Sequence, residues 1–337
     1  MIIPLAPIIW VSAAIITIRH ILYYNKILPT HTAKVPTICV GNLAVGGTGK
    51  TPHIEYLIRL LTKNQMKVAV LMRGYKRKTT GFIIADQQAS AQTIGDEAMQ
   101  LYTKFPNVTI AVCENRVKGI ELLQQQIENL DVVLLDDAFQ HRSLECGLKI
   151  LLSTYDNLYT DDYMLPYGSL RDLPSRAQNA DIIIVTKCPS TMQPIDMRVV
   201  DNKLRLSVFQ QLHFTAINYS SIEQKGIPLI LCGIAKPKYL IDHVRALYPQ
   251  ALAMTFADHH AYKKSDVEAI LKQVEKVDFV ITTEKDMQRL ENTILPEKMQ
   301  ALNKPICVLP IAVEFKTDAS LFDKKILTYI RENNRKK

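Results

Sequence analysis

Residues 37–52 read TICVGNLAVGGTGKTP, and this stretch decides the fold. The apolar run TICV predicts a buried strand, and the amphipathic PHIEYLIRLLTKN that follows the glycines predicts a helix. A glycine-rich loop between a strand and a helix lets backbone N–H groups and the helix N-terminus converge on phosphate oxygens. The sequence therefore predicts a phosphate-binding loop on an α/β sheet.

The chemistry of this loop indicates a nucleoside triphosphate with Mg²⁺. Glycines let the backbone approach phosphates, Lys50 adds a point charge for the β- and γ-phosphates, and the Thr51 hydroxyl can ligate the metal. Ala44 stands where the strict GxxxxGK[ST] pattern has its first glycine. An ordinary turn could use the same glycines, although Lys-Thr at the helix start argues against it. The residues predicted to bind the nucleotide are Gly46, Gly47, Thr48, Gly49, Lys50 and Thr51.

Short apolar runs alternate with longer amphipathic stretches from position 35 to 187, and a smaller set of the same kind follows position 225. Continuous Val, Ile and Leu runs are typical of a parallel sheet buried on both faces. We predict an α/β protein with a P-loop NTPase parallel sheet covered by helices, a second smaller α/β domain and an N-terminal apolar membrane-associated helix. The predicted segments are 1–28 (membrane-associated helix), 29–205 (P-loop domain), 206–225 (connector), 226–315 (smaller domain) and 316–337 (a C-terminal helix packing back on the first domain).

The apolar run VVLLDDAFQH ends in Asp136 and Asp137, about 85 residues after the loop. A P-loop protein holds Mg²⁺ partly through a carboxylate on a neighbouring strand. Two aspartates at a strand end could instead cap a helix. Together with the loop, however, they favour a metal site.

Three further clusters are predicted where strands meet loops, the ligand edge of an open α/β sheet. They are residues 73–78 (RGYKRK), 95–97 (GDE) and 114–116 (ENR). The first could be a solvated basic turn, and Asp96 with Glu97 could simply favour the positive end of a helix dipole. A carboxylate near a γ-phosphate could equally accept the proton of an attacking hydroxyl.

The first eighteen residues carry no charged side chain, and Arg19, His20 and Lys26 follow them. This order is the reverse of a cleavable signal peptide. Because Pro4 and Pro7 shorten the usable helix, we predict an interfacial anchor, with the body of the protein on the cytoplasmic side. The alternative is a helix docked on the protein's own core.

Composition adds limits to these predictions. The 337 residues suffice for two domains, and a formal net charge of +8 suits an anionic partner, without choosing between nucleotide, nucleic acid and membrane. Six cysteines without a CxxC pair indicate neither a zinc site nor a disulfide framework, but buried thiols in a reducing compartment.

The motifs together resemble one family, the tetraacyldisaccharide 4'-kinases, which are the lipid A 4'-kinases of Gram-negative bacteria. The likeness runs from the apolar N-terminus to about position 290. It is carried in order by GNLAVGGTGKTP, RGYKRK, GDEA, ENR, DDAFQH, LPYGSLRD, ADIIIVTK, FADHHAY and TTEKD. Ala98, Ala138, Asp172 and Cys146-Gly147 depart from the family pattern, and the shorter Asp172 carboxylate would reach less far toward a metal.

The resemblance implies MgATP-dependent phosphorylation of the 4'-hydroxyl of a tetraacylated glucosamine disaccharide 1-phosphate. It implies that Asp96 takes the hydroxyl proton with His259 as its partner, and that Lys50 contributes to catalysis. It also implies a monomer at the cytoplasmic face of the inner membrane, peripheral or monotopic through its N-terminal helix. The remaining implied roles are Arg116 and Arg171 near the phosphates, Thr51, Asp136, Asp137 and Gln140 around the metal, and Tyr75 and Glu97 at the substrate.

Two other classes of protein remain in view. A membrane-bound partitioning or targeting ATPase shares the loop, but it carries a lysine where this chain has Val45 and usually has a C-terminal membrane helix. A nucleic-acid-binding NTPase would suit the basic charge, yet no stretch interleaves basic and aromatic residues. We therefore predict no nucleic-acid partner.

Overall fold

The computed structural model describes residues 6–258, 260–291 and 293–335, with side chains from residue 13 onward. The chain forms two compact units. The larger unit comprises Met1–Ile217 and Val313–Lys337, and the smaller comprises Asn218–Ala312.

Helices and strands alternate along most of the described chain. In chain order the elements are α1 (Ala6–Tyr24), β1 (His31–Thr32), β2 (Thr37–Asn42), α2 (Lys50–Lys63), β3 (Val68–Met72), β4 (Ile83–Ile84), α3 (Ala91–Ile94), α4 (Asp96–Lys104), β5 (Thr109–Val112), α5 (Arg116–Gln126), β6 (Val132–Asp136), β7 (Leu144–Glu145), β8 (Leu148–Thr154), β9 (Ile182–Thr186), α6 (Pro194–Leu204), β10 (Gln211–Tyr219), β11 (Pro228–Cys232), α7 (Lys238–Leu247), β12 (Leu252–Thr255), α8 (Lys264–Val274), β13 (Phe279–Thr283), α9 (Glu284–Leu290), α10 (Leu295–Ala301), β14 (Ile306–Leu309), β15 (Ile311–Phe315) and α11 (Ala319–Asn334). A 3₁₀ helix, Pro174–Asn179, precedes β9.

The larger unit is built on one sheet, in which the described residues form nine strands in the order β15-β10-β9-β8-β2-β6-β3-β5-β4. The pairs from β10 through β5 are parallel, and β4 joins the edge antiparallel to β5. Strands β2, β3, β6 and β9 are buried along their whole length. The predicted parallel sheet covered by helices is therefore confirmed.

The C-terminal helix α11 belongs to the larger unit. Its buried side chains Phe322, Ile326 and Ile330 lie in the same apolar cluster as Ile38 and Val40 of β2. The spacing of four residues between them puts all three on one helix face. The tail therefore completes the core beneath the central strand.

The smaller unit has its own parallel sheet, with the described strands in the order β12-β11-β13-β14. Two apolar clusters lie in it, one including Val267 and Ile270 of α8 and the other Leu240 and Val244 of α7. The prediction of a second, smaller α/β region agrees with this architecture.

The connector predicted for 206–225 is wrong as drawn. Residues Gln211–Tyr219 form β10 inside the large sheet, and β15 lies beside β10, so the smaller unit ends at Ala312 rather than at 315. The stretch HFTAINY misled the prediction because it alternates polar and apolar residues. His213 and Thr215 are nevertheless buried in the strand.

Helix α1 exposes a row of apolar side chains. Ile15, Ile18 and Ile21 are each more than half exposed, at 61, 57 and 51%. Within the described part of the chain, no helix combines the length and apolar character needed to cross a bilayer.

Candidate active site

Strands β2 and β6 bring the glycine-rich loop and the paired aspartates to one edge of the sheet. They are direct neighbours, and Val40 pairs in register with Asp136. The chain after β6 crosses closely over β2, since a Cβ added to Gly41 would lie 2.5 Å from Phe139 Cβ. Only glycine fits at position 41, so the segment after β6 packs directly against the end of β2.

The glycine-rich loop has the backbone of a phosphate cradle. Gly46 and Gly49 adopt φ values of 102° and 92°, which side-chain-bearing residues rarely take. Gly49 caps α2, so the N–H groups of Lys50 and Thr51 lie in the first helical turn, where no intrahelical acceptor exists. Pro52 has no N–H to satisfy in that turn. The helix N-terminus therefore offers donors to an anion.

Asn42, the last residue of β2, joins four parts of the site. Its side-chain oxygen accepts hydrogen bonds from Lys50 Nζ at 3.4 Å and from Arg171 Nη2 at 2.7 Å. Its Nδ2 donates to Ala44 O at 2.7 Å, and its backbone oxygen accepts from Gln140 Nε2 at 2.5 Å. Sequence reasoning missed this residue, although a fully buried asparagine ending an apolar strand was a usable signal.

Asp137 is held by two cations. Arg171 Nη1 donates to its Oδ2 at 3.0 Å and Arg171 Nη2 donates to its Oδ1, while Lys50 Nζ lies 3.8 Å from Oδ1. Burial opposes ionisation of Asp137, but Lys50 and Arg171 outweigh it and lower the pKa of the carboxyl group. Asp137 is thus ionised and anchors Arg171 next to Lys50.

Asp136 differs sharply from its neighbour. It is 5% exposed, and its Oδ1 has no hydrogen-bond partner among the described residues. Burial, followed by the nearby negative charge of Glu97, raises the pKa of Asp136 to about 7. Arg116 is buried beside it and donates to Asp136 O at 3.2 Å and to Cys113 O at 2.5 Å. Arg116 therefore uses these donors on backbone oxygens inside the protein, and its positive charge favours the ionised form of Asp136.

These oxygens fit a hard divalent cation. An unpartnered buried carboxylate oxygen on Asp136 and the buried Thr51 offer the ligand chemistry that Mg²⁺ prefers. Among the described residues, no group of three or more His, Cys, Asp or Glu side chains could hold a metal by itself. Thr51 and Asp136 could supply only part of a ligand set, which is compatible with Mg²⁺ because that ion keeps several waters and shares ligands with phosphates.

Asp96 and Glu97 open helix α4 and are half-buried. The expectation that they follow a strand end is wrong, because α3 comes directly before them. The turn that carries the exposed Tyr75 approaches the start of α4 through Gly95. Gly95 has φ 90°, and a Cβ there would lie only 3.0 Å from Tyr75 O, so the two backbones touch. This contact brings the backbone of Tyr75 next to the residue that precedes Asp96 and Glu97.

The basic turn at 73–78 is partly structural. Arg77 pairs with Glu114, donates to Gly81 O at 2.5 Å, and Glu114 in turn accepts from Gly81 N at 3.0 Å. Arg77 and Glu114 therefore brace two loops against each other.

Helix α1 is tied to this edge through His20. His20 Nε2 lies 2.7 Å from Asp172 Oδ1, and Arg142 Nη1 donates to His20 O at 3.0 Å. Asp172 is buried, and Arg176 Nε lies 3.7 Å from its other oxygen. His20 thus serves as a bracket, because it links α1 both to the buried Asp172, one of the residues that depart from the family pattern, and to the loop that carries Gln140 and Arg142.

Replacing His20 with alanine should lower the free energy of unfolding by about 1–2 kcal/mol, because Asp172 loses a partner while staying buried. The melting temperature should fall by about 2–4 °C per kcal/mol in a unit of this size. His31→Ala is the matched control, since the His31 side chain is 42% exposed and lies 3.6 Å from Glu121. Equal melting temperatures for the two variants in circular dichroism would contradict the bracket.

The motifs FADHHAY and TTEKD of the smaller unit meet at Asp286, the last residue of the second motif. It is fully buried and accepts hydrogen bonds from Gly233 N at 3.0 Å, Thr283 Oγ1 at 2.7 Å and Tyr262 OH at 3.1 Å. His260 Nε2 lies 2.9 Å from Asp266 Oδ2. These residues hold the smaller unit together. His259, the predicted partner of Asp96, lies outside the described residues.

The sequence matches one protein family along nearly its whole length. The family described as Tetraacyldisaccharide-1-P 4'-kinase matches residues 1–331. The tetraacyldisaccharide 4'-kinase of Flavobacterium johnsoniae is 44% identical over 331 residues, covering 95% of this chain and 94% of that protein. The protein of the same name from Bacteroides thetaiotaomicron is 40% identical over 360 residues, covering 98 and 94%.

A solved structure shares the fold. It is the crystal structure of the "apo" form of LpxK from Aquifex aeolicus in complex with ATP, with a TM-score of 0.72 and 24% sequence identity. The match covers 97% of this chain and 98% of that one. The fold described above is therefore one that a solved structure already shows.

Proposed function

The chain belongs to the tetraacyldisaccharide-1-P 4'-kinase family, and on that premise we propose that the residues gathered around Asn42 carry out the reaction of the family. That reaction is ATP-dependent phosphorylation of the 4'-hydroxyl of a tetraacylated disaccharide 1-phosphate, a step of lipid A biosynthesis. The observation that carries the proposal is the joining of Lys50, Arg171 and Asp137 beside the N-terminus of α2.

The donor half of the site is the glycine-rich loop. Backbone N–H groups of the loop and of the first turn of α2 bind the phosphates, and Lys50 supplies a positive charge at the β- and γ-phosphates. Asn42 and Asp137 hold Lys50 and Arg171 in place, so the cations are positioned before the nucleotide arrives. The ATP complex of the Aquifex aeolicus protein supports this assignment.

Mg²⁺ fits next to this loop. Thr51 and Asp136 would hold it, with Asp137 and Gln140 nearby, and it would offset negative charge on the phosphates. The unpartnered Asp136 oxygen supports the assignment.

The acceptor half is the start of α4. Asp96 accepts the proton of the 4'-hydroxyl as the oxygen attacks the γ-phosphorus, the bond from that phosphorus to the β-phosphate oxygen breaks, and ADP leaves. Tyr75 and Glu97 bind the sugar, and the backbone contact between Tyr75 and Gly95, two residues before Glu97, supports this role.

We propose that α1 rests at a membrane surface. One end of the helix is fixed through His20, while Ile15, Ile18 and Ile21 stay exposed. Such an apolar row suits a helix in the interface, next to the acyl chains of the substrate, at the cytoplasmic face of the inner membrane. The protein would act there as a monomer.

A radiolabel transfer assay tests the function. The full chain is incubated with ATP labelled at the γ-phosphate, Mg²⁺ and the detergent-dispersed disaccharide 1-phosphate lipid, and the products are separated by thin-layer chromatography. We expect label in a new lipid phosphate ester, and none when the lipid lacks its 4'-hydroxyl. Label released only as free phosphate would overturn the proposal and favour an ATPase switch.

A further inference from the structure

His53 lies directly beneath the glycine-rich loop and is not among the residues proposed to contact the nucleotide, the metal or the lipid. It is the fourth residue of α2 and only 4% exposed. Its Nδ1 is 2.7 Å from Gly49 O, and its Nε2 is 3.2 Å from Thr215 Oγ1 on β10. Both ring nitrogens of a buried histidine are therefore engaged, one of them with the loop backbone.

The partners fix the state of the ring. A carbonyl oxygen can only accept, so Nδ1 carries the proton and donates to Gly49 O. Nε2 then accepts from the Thr215 hydroxyl. Burial of the ring favours this neutral form. Thr215 thus selects the tautomer that can hold the loop.

A second side chain acts in the same way one peptide earlier. Thr186 Oγ1, at the end of β9, donates to Thr48 O at 2.8 Å. In a trans peptide the C=O and the next N–H point in opposite directions. A hydrogen bond on Thr48 O therefore sets the direction of the Gly49 N–H, and one on Gly49 O sets that of the Lys50 N–H.

This control matters because Gly49 is conformationally free. With φ 92° and no side chain, Gly49 lets its two flanking peptides rotate at little cost unless hydrogen bonds hold them, and the backbone hydrogen bond on Gly49 O, from His53 N, is long at 3.4 Å. A flexible loop must lose that freedom when it binds a ligand, which weakens binding.

We propose that His53 is a positioning residue for the nucleotide. Together with Thr186 it holds the peptides on either side of Gly49, so that two N–H donors face the phosphates before ATP binds. The inference rests on the proposed function of the loop and extends it to residues that touch no ligand.

Two substitutions at position 53 separate the hydrogen bond from the packing. His53→Phe keeps a ring of similar size but has no donor. His53→Asn keeps a donor, since Asn64 and Asn333 already donate through Nδ2 to the carbonyl four residues earlier, at 2.9 and 2.8 Å. The matched control is His213→Phe. His213 is a buried histidine on β10, and its Nδ1 lies 3.3 Å from Thr317 Oγ1.

The measurements are the Kd of MgATP by calorimetry, the KM for ATP and for the lipid, and the melting temperature, all on the full chain in detergent. We expect His53→Phe to weaken ATP binding and raise the KM for ATP about tenfold, with the KM for the lipid unchanged. His53→Asn should bind ATP within about threefold of the parent protein. His213→Phe should lower the melting temperature without changing the Kd.

The opposite results are equally clear. Parental ATP affinity in His53→Phe, or a loss no larger than in His213→Phe, would overturn the proposal. If His53→Phe does not fold, Thr186→Val decides, because unchanged ATP affinity in that variant would equally contradict the role of the held peptides. Lys50→Ala separates failure of the proposed nucleotide site from failure of the role of His53. Unchanged ATP affinity in Lys50→Ala would reject the nucleotide site itself. Weaker ATP binding in Lys50→Ala, with parental ATP binding in His53→Phe, would reject only the role of His53.

Discussion

Asp96→Asn is expected to lower kcat about 10²-fold or more, because the 4'-hydroxyl then lacks a group to accept its proton as phosphoryl transfer begins. The amide keeps the size of the side chain at the first residue of α4. The KM for ATP should therefore change little. Steady-state kinetics with saturating lipid and varied ATP measure both constants.

Asp201→Asn is the control for this substitution. Asp201 is an exposed residue of α6, so the same chemical change should leave kcat and both KM values at parental levels. Near-parental turnover of Asp96→Asn would remove Asp96 from the role of proton acceptor.

Lys50→Ala is expected to lower kcat/KM for ATP about 10²–10³-fold, the cost of removing one positioned group that stabilises developing charge. The substitution also takes a cation from Asp137, whose pKa should rise as a result. Arg171 remains bound to both Asp137 and Asn42, so the loop should keep its fold.

Lys63→Ala provides the comparison for that variant. Lys63 is the last residue of the same helix and is exposed. Its loss should leave ATP kinetics unchanged and the melting temperature within a degree or so, as is usual for surface positions. If Lys50→Ala behaved like Lys63→Ala, the glycine-rich loop could not be the phosphate donor site.

The parallel sheet could be predicted because its strands are unbroken apolar runs, which only a doubly covered sheet accommodates. Strands β10 and β15 escaped prediction for the opposite reason. β10 alternates polar and apolar residues and β15 is only five residues long, so no local pattern assigned either stretch to the large sheet. Their place became clear only from pairing between segments about a hundred residues apart.

At the site, motif residues were predictable and the residues that hold them were not. Lys50 and Asp137 carry charges whose use is suggested by their position after a strand or a glycine. Asn42 and His53 act through hydrogen bonds to backbone and side-chain atoms, and such bonds leave no periodic pattern in a sequence. Asp137 was predicted as a metal ligand from its motif, but the motif gave no sign that this carboxylate also anchors Arg171.

The link from His20 to Asp172 and Arg142 has a practical side. Removing an exposed apolar helix is a common way to make a protein easier to handle in water. Here such a truncation would take away His20, the partner of a buried carboxylate and of the arginine two residues after Gln140. A soluble fragment of this enzyme would be a different catalyst rather than a more convenient form of the same one.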